Sequence, residues 1–331
     1  MSETTCREAL GKALADAMAE DEKVVVLGEE VGVYGGAYGV TRGMIDRFGA
    51  ERVIDTPISE PGIVGTAVGM ALEGLRPVAE LMYVDFLAMA MDQLANQAAK
   101  IRYMFGGATS VPLVLRTQGG TGRSAAAQHS QSLEAWGAHV PGLRVALPAT
   151  VNDCYHLLRD AIRQPDPVLF IEHKGLYVSK GELGRKADAP WGRAHVCREG
   201  SDLTIISYSR MLHYALEAAA MLAENGIEAE VINLRTLNPL DEETIAASVR
   251  KTHRAMVATE AALSFGPSAE IAARLQEACF DHLEEPVLRV AGEDVPIPVA
   301  PNLERASIPD PQLIFEAACL LLRRGPRPAW I

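Results

Sequence analysis

Short β-branched runs bounded by glycine or proline alternate with helix-spaced stretches along this chain. That alternation limits the possible folds more than any other feature. Lys23–Leu27, Pro77–Met82, Pro112–Arg116, Leu143–Leu147 and Pro167–Ile171 are such runs. Cys6–Met18 has helical spacing, and Leu87, Met91, Leu94, Ala98, Ile101 and Phe105 follow a 4-3-4-3-4 spacing that makes one apolar stripe. Parallel strands need a long crossover, usually a helix, so this order predicts α/β domains with mainly parallel sheets covered on both faces.

The alternation breaks between Ser179 and Gly200. Lys180-Gly181, Gly184, the polar run Arg185–Asp188, Pro190 and Gly192 crowd turn formers among charges, which reads as a linker over 181–200. It then restarts: strand Leu203–Ser207, helix Leu212–Glu224, strand Ala229–Leu234, helix Glu242–Val249, strand Ala255–Thr259, helix Ser268–Phe280. Two three-layer α/β domains over 1–180 and 201–331 are therefore expected. Val295–Pro301 carries three prolines and is expected to lack regular structure.

At 331 residues the chain suits about two domains, and its 48 % hydrophobic and 22 % charged content is that of a globular protein. A net charge of −12 would repel phosphates, which excludes a nucleic-acid partner. Five cysteines are scattered without a CxxC pair, the pattern of reduced thiols in a cytoplasmic protein, not of a disulfide framework or zinc site. Met1–Leu10 lacks the apolar segment of a signal peptide, and no stretch nears the ~18 apolar residues of a membrane span.

Three segments carry candidate chemistry. In Pro57–Gly65, Pro61 suits the first turn of a helix, and Glu60 is expected just ahead of that helix, where its dipole stabilises an anion. The structural alternative is that Ser59 or Glu60 merely caps the helix. His129 follows the small residues Ala125–Ala127 and the glycine-rich Gly119–Gly122; an imidazole there can donate or accept protons, or be one more exposed histidine. Gly119–Gly122 lacks the Lys-Ser/Thr of a phosphate loop, and Gly32–Gly39 has the wrong spacing for a dinucleotide fingerprint and reads as a mobile loop. Met82 and Phe86 lie where a strand gives way to a helix; they either face a cofactor ring or are plain core. No side-chain cluster has metal-ligand spacing, and no Ser/His/Asp arrangement stands out.

Five motifs in order resemble the β subunits of the 2-oxo acid dehydrogenase decarboxylating components, in the transketolase-like superfamily. They are Val26–Glu30, Asp55–Glu60, Ala126–Gln131, Pro141–Leu143 and Leu234–Asp241, and the resemblance runs from Met1 to about Arg324. It implies a pyrimidine-binding domain followed by a transketolase C-terminal domain, and thiamine diphosphate as cofactor. Glu60 matches the glutamate that hydrogen-bonds the aminopyrimidine and favours its proton-abstracting tautomer. Met82 and Phe86 match positions lining the pyrimidine. His129 matches a histidine that moves protons during acyl transfer to lipoamide. Leu113, Ala161, Ile162, Gln164 and Asp166 match a monovalent-cation (K+) site, although Gln164-Pro165-Asp166 departs from the usual Asp-Asn-Asn/Asp run. Ser207-Tyr208-Ser209 stands where Tyr-Gly is usual, and Phe265–Ser268 is poorer in glycine than expected.

The superfamily's diphosphate–magnesium motif, Gly-Asp-Gly with an Asn about 25 residues on, is absent. The resemblance therefore implies that an α subunit holds Mg2+ and the diphosphate in an α2β2 heterotetramer, with a lipoyl-bearing acyltransferase as second partner. Pyruvate is the favoured substrate. Acetoin dehydrogenase is the alternative, because Ile101–Gly107 and Ile171–Lys174 look like its β subunits as well as bacterial pyruvate relatives, and branched-chain 2-oxo acids stay open. A non-catalytic assembly subunit would lose the acid at 60 or the histidine at 129. Half of a split transketolase would gather Arg and His around His129, where only Arg123 is near in sequence.

Overall fold

The computed structural model describes residues 3–322; the ends of the expected domains, residues 1–2 and 323–331, lie outside the described residues. The chain divides into two compact units, one of Met1–Gly120 with Trp136–Trp191, the other of Thr121–Ala135 with Gly192–Ile331.

The first unit is built on six strands: β1 (Val24–Gly28), β2 (Val53–Asp55), β3 (Arg76–Leu81), β4 (Val114–Gly119), β5 (Arg144–Ala146) and β6 (Val168–His173). They lie in the order β5-β6-β4-β3-β1-β2, and every neighbouring pair is parallel. Nearly every side chain on β1, β3, β4 and β6 is buried, as a sheet covered on both faces requires. Helix α1 (Cys6–Glu20) starts at a capping box, in which Thr5 accepts from the Glu8 amide and the Glu8 side chain accepts from Thr5. It packs on α3 (Val151–Arg163), whose Leu157 and Leu158 join Leu10, Leu14, Val26 and Phe170 in one buried cluster. Helix α2 (Glu60–Leu72) packs against β3. Because the strands are parallel, Gly28, Leu81, Gly119 and His173 all end at one edge of the sheet. Ligands bind at that carboxyl edge in open α/β sheets.

In the second unit, β7 (His195–Arg198), β8 (Leu203–Ser207), β9 (Ala229–Asn233), β10 (Ala255–Ala262) and β11 (Leu288–Gly292) take the order β11-β10-β8-β9-β7. Only the edge strand β7 runs antiparallel. Residues Val295–Ala300 are irregular, as their prolines predict, and Pro301 opens a short helix, Pro301–Ala306.

Three expectations need correction. The stretch 181–200 is not all linker: Lys180–Glu182 pairs with Glu3–Thr5, and β7 pairs with β9. Residues 121–135 group with the second unit, because the partners anchoring them, Glu260, Glu304 and Tyr208, all lie there. The apolar stripe 87–105 is not one regular helix. Asp92–Ala98 forms a π-helix between the α-helices Leu87–Met91 and Ala99–Met104. Its wider turns rotate the stripe, and Phe105 ends 60 % exposed.

Candidate active site

Helix α2 begins one residue earlier than expected, so Glu60 is its first residue and Pro61 its second. The capping alternative fails for Ser59, whose side chain makes no cap hydrogen bond. Glu60 is 7 % exposed, and its carboxylate accepts no hydrogen bond from any described residue. Its oxygens are not among the enclosed unpaired atoms of the described residues, so they still reach the surface, at a helix N-terminus whose dipole favours an anion. Glu29, just beyond β1, is half-buried; burial raises its carboxyl above the ordinary range, and Glu60, Glu30 and Glu80 push it further. This acidic end suits a ligand that donates hydrogen bonds, such as a protonated ring nitrogen.

Met82 directly follows β3, and Phe86 closes the 3-10 turn Val84–Phe86. Leu81, Val84 and Leu87 are fully buried, whereas Met82 and Phe86 stay half-open at the strand's end, which is not the behaviour of plain core. Between them Tyr83 takes a left-handed backbone (φ 70°), and its N–H donates to Gln118 Oε1 at 3.2 Å. The Tyr83 ring stands edge-on to Phe86 and to Tyr38 with centroids 6.3 Å apart, and the Lys174 ammonium lies 5.2 Å from it. Such strain in a non-glycine residue persists only where its surroundings over-determine it.

Beneath this edge lies a feature that the reading of these strands as apolar runs overlooks. Glu80 on β3, Arg116 on β4 and Glu172 on β6 are 3 %, 0 % and 2 % exposed. Arg116 donates to both Glu172 oxygens at 2.6 and 2.8 Å, and to Glu80 Oε2 at 2.7 Å. Burial works against its charge, but Glu172 and Glu80 outweigh it and hold the guanidinium well above the usual range. The Tyr177 hydroxyl donates to Glu172 at 2.5 Å, and Gln118 Nε2 donates to Glu80 at 3.2 Å. Charged residues inside otherwise apolar strand runs were the available signal.

The glycine-rich segment Gly32–Gly39, expected to be a mobile loop, is tied down. The N–H groups of Gly32 and Val33 donate to the Asp55 carboxylate at 2.6 and 3.1 Å. A Cβ on Gly32 would lie 2.7 Å from that carboxylate, so the contact requires glycine.

Glu60, Met82 and Phe86 share the carboxyl edge of the first unit, whereas His129 belongs to the second. His129 is half-buried on a loop bent by left-handed residues Ser124 (φ 51°) and Ala126 (φ 62°). A cleft of about 720 Å³ adjoins this loop within the second unit, lined by Gln128, Ser130, Gln131, Glu260 and Asp294 among others. Glu134, at the loop's far end, accepts from the buried Tyr208 hydroxyl at 2.8 Å. Burial raises its carboxyl, these hydrogen bonds lower it, and Glu260 raises it again, with a net upward shift.

Of the five residues expected to hold a cation, Ala161, Ile162, Gln164 and Asp166 lie at or just beyond the end of α3, and Leu113 immediately precedes β4. Their carbonyls already accept hydrogen bonds: Leu113 from Val168 N–H at 2.8 Å, Ala161 from Gln164 N–H at 3.1 Å, and Ile162 from Arg76 at 2.9 Å. Asp166 is bonded by Arg102 at 2.6 Å and Arg144 at 2.9 Å. No group of three or more His, Cys, Asp or Glu that could hold a metal occurs among the described residues.

These features define a two-domain transketolase-type chain, and two family models agree. "Transketolase, pyrimidine binding domain" matches residues 2–180, and "Transketolase, C-terminal domain" matches residues 192–314. The chain belongs to the family of pyruvate dehydrogenase E1 component β subunits. It is 49 % identical to the mitochondrial subunit beta-2 of Oryza sativa subsp. japonica over 96 % of this chain and 85 % of that protein. Identity to the subunit beta of Rhizobium meliloti (strain 1021) is 44 %, over 96 % of this chain and 69 % of that one. Among solved structures, "Split gene transketolase, inactive beta4 tetramer" shares the fold with a TM-score of 0.80. It is 24 % identical and covers 97 % of this chain and 99 % of its own.

Proposed function

We propose that this chain supplies the pyrimidine half of a thiamine diphosphate site in a pyruvate dehydrogenase, completed by an α subunit that holds the diphosphate and Mg2+. The observation that carries the reading is the Glu60 side chain, largely buried at a helix N-terminus with no donor among the described residues. Glu60 would accept a hydrogen bond from the aminopyrimidine ring, and Met82 and Phe86 would flank that ring with apolar surface. When bound, the cofactor supplies a carbon nucleophile for the substrate carbonyl and an electron sink for decarboxylation. Placing the acid at the ring tunes its basicity, while the apolar wall excludes water and strengthens the interaction. His129 would handle the proton during acyl transfer to a lipoyl group on the acyltransferase partner.

Pyruvate is favoured over acetoin because the relatives compared are named for pyruvate. An α2β2 assembly and a cytoplasmic location belong to the same proposal; some relatives are named mitochondrial. No helix among the described residues is long and apolar enough to cross a membrane. The cation assignment is K+ on the carbonyls of Leu113, Ala161, Ile162 and Gln164, with Asp166 alongside. The run of Ala161, Ile162, Gln164 and Asp166 at the end of α3, with the Leu113 carbonyl bonded to Val168 just beyond it, supports it, and a rise in melting temperature on adding K+ to potassium-free protein would test it.

The test of the central assignment is Glu60→Ala in the αβ complex. Turnover should vanish while the subunits still co-purify at wild-type stoichiometry. Turnover that persists would remove Glu60 from the mechanism.

A further inference from the structure

The bend in the His129 loop is held from outside the loop. Ser124 and Ala126 both take left-handed backbone, although neither is glycine, so the conformation needs support. Glu304, on the helix Pro301–Ala306, provides it. Its Oε1 accepts the Gly122 N–H at 2.9 Å and the Ser124 N–H at 3.1 Å, while Oε2 lies 3.2 Å from the Ser124 nitrogen and 3.5 Å from its hydroxyl. Glu304 is 4 % exposed, yet among the described residues no basic side chain pairs with it, and its carboxylate is committed to loop donors. Glu260 accepts the Thr121 N–H, at 2.6 Å, one step further from the bend.

We propose that Glu304 is a positioning residue that sets His129 for acyl transfer by fixing the backbone of its loop. The inference rests on the role proposed above for His129. A carboxylate aimed at successive backbone N–H groups makes charge-assisted hydrogen bonds, stronger than neutral ones. They reach the strained Ser124 itself, five positions before the imidazole. Losing them lets the loop relax and carries His129 out of register, while none of the bonds lost involves the first unit, where Glu60 lies.

The test uses the αβ complex and two assays: pyruvate decarboxylation with an artificial electron acceptor, and acylation of an isolated lipoyl domain. Glu304→Ala should slow acylation about 10²-fold, the usual penalty for a misplacement near 1 Å, and leave decarboxylation within about twofold. Glu304→Gln keeps one oxygen for the Gly122 and Ser124 amides and should restore most of the acylation rate. Glu304→Asp, which keeps the charge but withdraws it by one methylene, should fall between them and serves if the alanine variant fails to assemble. Wild-type acylation in the alanine or aspartate variant, equal loss in both assays, or no rescue by glutamine would overturn the proposal. His129→Ala separates the two readings. If it acylates at the wild-type rate, the role of His129 is wrong. If it is slow while Glu304→Ala and Glu304→Asp are not, only the role of Glu304 is wrong.

Discussion

Glu60 and Arg116 are both buried charges, and mutation should affect them in opposite ways. Glu60 has no donor among the described residues, so Glu60→Gln breaks no hydrogen bond within them and should leave the unfolding midpoint unchanged or raised, while turnover falls by about 10²–10⁴. A marked loss of stability would show that Glu60 has a structural partner. Arg116 satisfies two carboxylates, and Arg116→Met strands both in the sheet; denaturant unfolding should report a loss of about 3–5 kcal/mol. A loss under about 1 kcal/mol would mean that Glu80 or Glu172 is readily neutralised. Asp166 gives a pH signature. Burial raises its carboxyl, but Arg102 and Arg144 more than reverse this and hold it below the ordinary value of 3.8. A depressed folded-state pKa adds stability above pH 3.8 and loses it as pH falls through the lowered value. With both arginines partly exposed the contribution is about 1 kcal/mol or less. Asp166→Asn should therefore melt earlier than wild type at pH 7, and the gap should close as pH falls below 3.8 and through the lowered value.

At the scale of elements, the loops at the carboxyl edge are held by specific acceptors and by glycines. Asp55→Ala frees the amides of Gly32 and Val33, and hydrogen exchange there should accelerate as about 1.5–3 kcal/mol of protection is lost. Unchanged exchange would mean that backbone packing alone orders the loop. How much was legible in the sequence follows from length and polarity. Leu203–Ser207 has the bounds expected of it, because a compact β-branched run following turn formers is a strong signal. Val53–Asp55 is only three residues long, and half-buried Leu288–Gly292 mixes in an arginine, so neither stands out. Strand β7 hides among the turn formers around it. Helix α3 is absent from the elements read from the sequence, although Thr150 caps it and Val151, Cys154, Leu157, Leu158, Ala161 and Ile162 recur at helical spacing. The resemblance supplied Glu60, Met82, Phe86 and His129 by position. The partners of His129's loop were not legible, since Glu260 and Glu304 lie more than a hundred residues away in sequence.

At the scale of the whole molecule, the central claim is that this chain is one half of a catalytic site. The acidic end at Glu60 suits a ring nitrogen, while the sequence lacks the motif that would hold magnesium and diphosphate. The most direct test is decarboxylation with an artificial electron acceptor, measured for this chain alone and for the chain co-purified with an α-type subunit. The substrates would be pyruvate, acetoin and branched-chain 2-oxo acids. The account predicts no turnover by the chain alone and turnover by the pair, with pyruvate the best substrate. Turnover by the isolated chain would contradict it, because the diphosphate would then have to be held within this chain.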